Sequence, residues 1–136
     1  MIRNIIAVVA GLVVGAVVNT GIVILGPMIV TPPPGVDMTT AEGITAALPL
    51  LEPRHFAPPF LAHALGTLVG ALVAALISAA SKMTVAMIVG CFTLIGGIIA
   101  ATMIPAPMWF IALDLIVAYI PMAYVGGKIG SAIRPA

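Results

Sequence analysis

Long uncharged stretches alternate with short polar breaks along this chain. Residues 4–26 carry no charge, residues 55–81 have two histidines as their only titratable side chains, and residues 83–127 contain a single charge, Asp114. A membrane-spanning helix needs about 20 mostly apolar residues, and Pro105-Ala106-Pro107 divides the last stretch in two. The pattern predicts four transmembrane helices, at residues 4–26, 58–80, 84–104 and 107–127.

These spans predict an all-α, polytopic membrane protein, because open strands cannot satisfy their backbone groups in lipid. We expect a single integral membrane domain over residues 1–136 with an outer loop at 27–57. The first apolar run is longer than the core of a signal peptide and no small-residue cleavage pattern follows it, so we expect a retained span.

The outer loop contains the signal for one short helix. Thr39 with Glu42 three residues later is typical of a capping box, and Pro49 ends or kinks a helix that runs to about Leu48. We expect this helix to lie against the mouth of the bundle.

The composition agrees with a membrane location. Apolar residues make up 62% of the chain, against five Lys and Arg and four Asp and Glu, whereas soluble domains average about 25% charged residues. This balance excludes an ordinary cytosolic enzyme, a disordered segment and a nucleic-acid binder. Membrane lipid is the expected surrounding partner, together with other copies of the chain or partner membrane subunits.

The distribution of basic residues predicts the orientation. Arg54 is the one basic residue on the outer side, and four lie on the side of the termini: Arg3, Lys82, Lys128 and Arg134. The positive-inside rule therefore predicts a bacterial-type inner (plasma) membrane protein with both termini cytoplasmic.

Small residues recur at four-residue spacing in the first two spans: Ala7, Gly11, Gly15 and Asn19, then Ala62, Gly66, Gly70 and Ala74. Such faces allow close backbone approach between helices in lipid. They are consistent with an oligomer seam and equally with packing inside one four-helix bundle.

The polar residues of three spans fall at a similar depth. With a rise of about 1.5 Å per residue, Asn19, His63 and Asp114 lie roughly 8–11 Å below the outer helix ends, and Thr67 lies one turn deeper. An unpaired Asp at a helix centre costs about 2.5–3.5 kcal/mol, so we expect Asp114 to pair, face water or be protonated. Tyr119, about 140° around a straight helix from Asp114, is a weaker member.

This layer has two interpretations. In the first, Asp114, His63, Asn19 and Thr67 form an outward-facing pocket that binds a proton or a small substrate. In the second, the same side chains only fix the register of the helices.

A second candidate cluster, Glu52, Arg54 and His55, lies in the outer loop. Arg54 could hold a phosphate or carboxylate, or simply pair with Glu52 or Glu42. Glu52, His55, His63 and Asp114 could in principle hold a metal, but no recognised ligand spacing is present, so neither a metal nor a cofactor is expected.

Three functions are compatible with these patterns. The first is transport or channel-like passage of an ion or small molecule, with or without coupling to protons, by a small oligomer. The second is a structural or accessory subunit of a membrane complex. The third is an intramembrane enzyme acting on a lipid, with Asp114 and His63 as acid and base and Arg54 on the headgroup.

Overall fold

The computed structural model describes residues 1–135, which are 81% helical and contain no strand. The helices are α1 (Ile2–Ile29), α2 (Ala41–Ala47), α3 (Ala57–Ile77), α4 (Lys82–Met103), α5 (Met108–Val117) and α6 (Ile120–Ile133). Short 3-10 helices occupy Leu48–Leu50 and Pro53–Phe56. Four segments are long and apolar enough to cross a membrane: Ile2–Ile29, Pro53–Ile77, Lys82–Met103 and Met108–Ile133. The predicted all-α fold with four spans and a short loop helix is confirmed.

The fourth span differs from the prediction of one helix over residues 107–127. It is broken after Val117, where Tyr119 has φ −115° and ψ −81°, and it then continues as α6 to Ile133. Pro121 explains the break, because its ring removes an N–H and clashes with the carbonyl four residues earlier, and it disfavours helical geometry in the residue before it.

The short loop helix begins one residue later than the capping box suggested. Thr40 is the N-cap, and its Oγ1 accepts the N–H of Gly43 at 3.1 Å. Thr39 instead donates its hydroxyl and its N–H to Asp37, and these bonds lower the pKa of that carboxyl. The Thr39–Glu42 interpretation is therefore wrong in its register.

The bundle has two ends, which we name by their contents. The terminal end holds Met1, Arg134 and the turn at 78–81, and the loop end holds residues 30–56 and the turn at 104–107. Helices α1 and α4 run from the terminal end to the loop end, and α3 and α5–α6 run back.

Helix α3 is central and packs against α1, α4 and α6. Glycines of α1 and α3 meet directly. A Cβ added to Gly15 would lie 2.7 Å from Gly66 O, and one added to Gly70 would lie 2.6 Å from Gly11 O. The two backbones are thus in contact, which only glycine permits and which suits Cα–H···O interactions. The small-residue faces of the first two spans therefore pack within one bundle.

Three cationic side chains bind the free carbonyls at the C-terminus of α3. The bonds run from Arg3 Nε to Ile77 O (2.6 Å), from Lys82 Nζ to Ala75 O (3.3 Å) and Ser78 O (3.2 Å), and from Arg134 Nη1 to Leu76 O (3.1 Å). A helix leaves its last four carbonyls unsatisfied, and its C-terminus favours positive charge. Lys82 is only 5% exposed, and its burial is tolerated because the ammonium group donates to Ala75 O and Ser78 O.

We expect Gly70→Val to destabilise the bundle by about 1–3 kcal/mol, because the added side chain must push α1 away from α3. Gly21→Val is the matched control, since a Cβ at Gly21 has no atom within 4 Å. Thermal unfolding in detergent, followed by circular dichroism, measures the difference. Equal effects of the two substitutions would contradict the close contact.

Candidate functional site

The structure brings together His63 of α3 and Asp114 of α5. His63 Nδ1 lies 2.8 Å from Oδ1 and 2.9 Å from Oδ2 of Asp114, whose side chain is buried. A carboxylate only accepts, so Nδ1 is assigned as the protonated nitrogen. When the ring is neutral, Nε2 then carries a lone pair and can accept a proton or a hydrogen bond.

Tyr119 is a third member of this group. Its hydroxyl donates to Asp114 Oδ2 at 3.0 Å, and its ring stacks on His63 with centroids 5.7 Å apart. The expectation that Tyr119 is a weaker member, based on a straight helix, is wrong. The break before Pro121 turns the phenol towards Asp114, and Gly97 makes room for it, since a Cβ there would overlap the Tyr119 ring.

A cavity of about 350 Å³, the loop-end cavity, lies between the helix ends and the outer loop. His63 and Asp114 lie among its lining residues, and Phe56 and Phe110 form aromatic walls in contact at 5.0 Å between ring centroids. Ile44 of α2 also lines it. Most of the lining is apolar, so the cavity suits a small molecule with an apolar body and few polar groups.

The outer cluster contributes one residue to this cavity. Arg54 Nε pairs with Glu52 Oε2 at 2.9 Å, and both side chains are more than half exposed. His55 lines the cavity, and its Nδ1 accepts the Glu52 N–H at 2.8 Å. Arg54 therefore pairs with Glu52, as the second of the two expectations for this arginine states. Because its Nδ1 accepts, His55 is assigned the tautomer protonated at Nε2, the opposite of His63.

Asn19 and Thr67 lie in a second cavity of about 360 Å³ between α1, α3 and α4, which we call the lateral cavity. His63 lines both cavities, while Asp114 lines only the loop-end cavity. Asp114 accepts from His63 and Tyr119, and Asn19 makes no bond to it in the described chain. The expected single polar pocket is thus two cavities that share His63.

No metal-binding cluster is formed by residues 1–135, where no three His, Cys, Asp or Glu side chains gather closely enough to hold an ion. Glu52, His55, His63 and Asp114 therefore do not assemble as one ligand set. The chemistry that the Asp114–His63–Tyr119 group offers is proton binding, because it combines a buried carboxylate with an imidazole whose second nitrogen is free.

No family model, curated protein sequence or solved structure matches this chain. The geometry of the two cavities is therefore the basis for a functional inference.

The assigned tautomers can be tested by nitrogen NMR at a pH where both imidazoles are neutral. We expect His63 to be protonated at Nδ1 and His55 at Nε2. Asp114→Ala should move His63 towards the Nε2–H form and leave His55 unchanged, because only His63 loses its acceptor. An Nε2–H form of His63 in the unaltered protein would contradict the assigned pair.

Proposed function

We propose that this protein passes a proton, or an ion or small molecule coupled to a proton, across the membrane through the loop-end cavity. Asp114 and His63 are the proton-binding residues in this proposal. The observation that carries it is the contact of His63 Nδ1 with both oxygens of a buried carboxylate at a cavity wall.

The surroundings of the pair support this role. Among the described residues, no Lys or Arg lines either cavity, so no fixed cation compensates a change of charge at Asp114. A charged group in an apolar membrane interior is costly unless it is paired. An ionised Asp114 beside a neutral His63 has one net negative charge, and binding of a proton or of a substrate cation would cancel that charge, which is the requirement for coupling.

We further propose that the terminal end faces the cytoplasm of a bacterial-type inner membrane. Arg3, Lys82 and Arg134 at that end support this orientation by the positive-inside rule. An oligomer also belongs to the proposal. Its contact surface in this proposal is the exposed apolar face of α1, for example Val13 and Val17, since the glycine face is already used against α3.

One observation favours a second candidate, an intramembrane enzyme. An aspartate that orients a histidine through Nδ1 leaves Nε2 available as a general base. The enzyme hypothesis also requires Arg54 to bind a lipid headgroup at the cavity, but Arg54 pairs with Glu52 and does not line the cavity. In the third alternative, an accessory subunit, the same pair would only hold α3 against α5.

Reconstitution into liposomes with a trapped pH-sensitive dye tests the proposal. Under an imposed pH gradient, we expect the wild-type protein to admit protons and Asp114→Asn to slow their entry by about tenfold or more, a factor that corresponds to about 1.4 kcal/mol. His63→Gln should have a similar effect.

Glu52→Gln is the matched control, because it makes the same carboxyl-to-amide change at an exposed side chain. It should retain the wild-type rate. If folded wild-type protein and Asp114→Asn admit protons equally, the proposed passage is wrong, and an effect of Asp114→Asn on thermal stability alone would favour the accessory subunit.

A further inference from the structure

The lateral cavity opens between α1 and α4. These helices touch near the level of Gly11 and Val89, where a Cβ on Gly11 would lie 3.2 Å from Val89 Cγ2. Nearer the loop end, three lining residues are exposed: Ala16, Phe92 and Gly96. Phe92 is 56% exposed. Since these helices are membrane-spanning segments, the surface around this opening faces lipid rather than water.

Inside the opening lie polar groups that the fold does not use. Thr67 is 2% exposed and makes no hydrogen bond in the described chain, and no fully buried side-chain oxygen or nitrogen there lacks a partner. Its hydroxyl therefore retains a small exposed surface, and the lateral cavity is the opening that Thr67 lines. Thr93, by contrast, donates to Val89 O and Gly90 O of its own helix.

Asn19 is the second unused polar group. Its amide lines the same cavity and forms no hydrogen bond within residues 1–135. An amide offers both a donor and an acceptor, and a threonine hydroxyl does the same. In a bilayer these groups have no water to satisfy them, so a ligand that supplies the missing bonds is favoured.

The lining defines the chemistry of that ligand. No Asp, Glu, Lys or Arg lines the lateral cavity within the described chain, and its one histidine, His63, is bonded to Asp114, so a neutral polar group fits and a charged headgroup does not. A hydroxyl can donate and accept at once, which matches Asn19 and Thr67. Leu12 and Phe92 offer apolar walls for a chain, and about 360 Å³ is at the small end of ligand sites.

We infer that the lateral cavity binds the hydroxyl end of a single-chain, membrane-dissolved alcohol that enters from the bilayer between α1 and α4. Asn19 and Thr67 bind the hydroxyl, and the chain extends past Phe92 towards lipid. The lateral cavity shares the wall residue His63 with the loop-end cavity, but the two side chains that bind the alcohol, Asn19 and Thr67, lie outside the loop-end cavity.

Photolabelling of the full chain in phosphatidylcholine nanodiscs tests the site. The probe is a dodecanol analogue with a diazirine in its chain, and labelled peptides are located by mass spectrometry. We expect saturable labelling around Leu12 and Phe92 that dodecanol displaces and dodecane does not.

Substitutions of Asn19 and Thr67 test whether these two side chains bind the hydroxyl of the alcohol. Thr67→Val should weaken the competition by dodecanol about fivefold, the factor that one lost neutral hydrogen bond produces, and Asn19→Leu should weaken it similarly. Thr93→Val is the matched control and should leave it unchanged, because that hydroxyl is already bonded to its own helix.

Two glycine-to-tryptophan substitutions test the cavity without changing its polar side chains. Gly96→Trp should abolish the labelling, because Gly96 lines the cavity and has open space around its Cβ position. Gly21→Trp, with equally open space but outside the cavity, should retain it.

Three results would overturn the inference. They are absence of saturable labelling in folded wild-type protein, equal displacement by dodecane and dodecanol, and labelling confined to Phe56 and Phe110 of the loop-end cavity. Proton entry through the loop-end cavity is measured separately, so either proposal can fail while the other holds.

Discussion

The structure depends on one constraint: charged side chains and the free backbone groups of helix ends cannot be left without partners in a lipid-embedded bundle. Helix α3 shows this at both ends. At its C-terminus, Arg3, Lys82 and Arg134 take up the free carbonyls. Near its N-terminus, His63 binds the one carboxylate inside the spans. Because α3 packs against α1, α4, α5 and α6, these bonds hold the other spans around it.

Close packing through glycine determines where space remains. Gly11 and Gly15 draw α1 onto α3, and Gly126 brings α6 against the backbone at Leu68. Beyond these contacts the lateral cavity remains between α1, α3 and α4, and small residues such as Gly15, Gly66 and Gly96 lie among its lining. The same property that permits tight helix association therefore creates space elsewhere in the bundle.

The fold could be predicted from the sequence because charge is so scarce that its spacing marks the spans. The depth of His63 and Asp114 could be read in the same way, since depth depends only on the rise per residue. The direction in which a side chain points around the helix axis is harder to predict from the sequence. A straight helix predicts that Tyr119 points away from Asp114, whereas the break that Pro121 indicates turns the phenol towards it. Asn19 and Asp114 lie at a similar depth, but depth alone does not show that the two side chains line different cavities.

The two cavities are structurally connected through Gly97, although their proposed ligands differ. Gly97 lines both, and its missing side chain is what allows the Tyr119 phenol to reach Asp114. The partition between the cavities is therefore His63 stacked on Tyr119, held by one carboxylate that both bind. The position of His63 therefore depends on Asp114, and the separation of the two cavities depends on His63, so one carboxylate holds the wall between them.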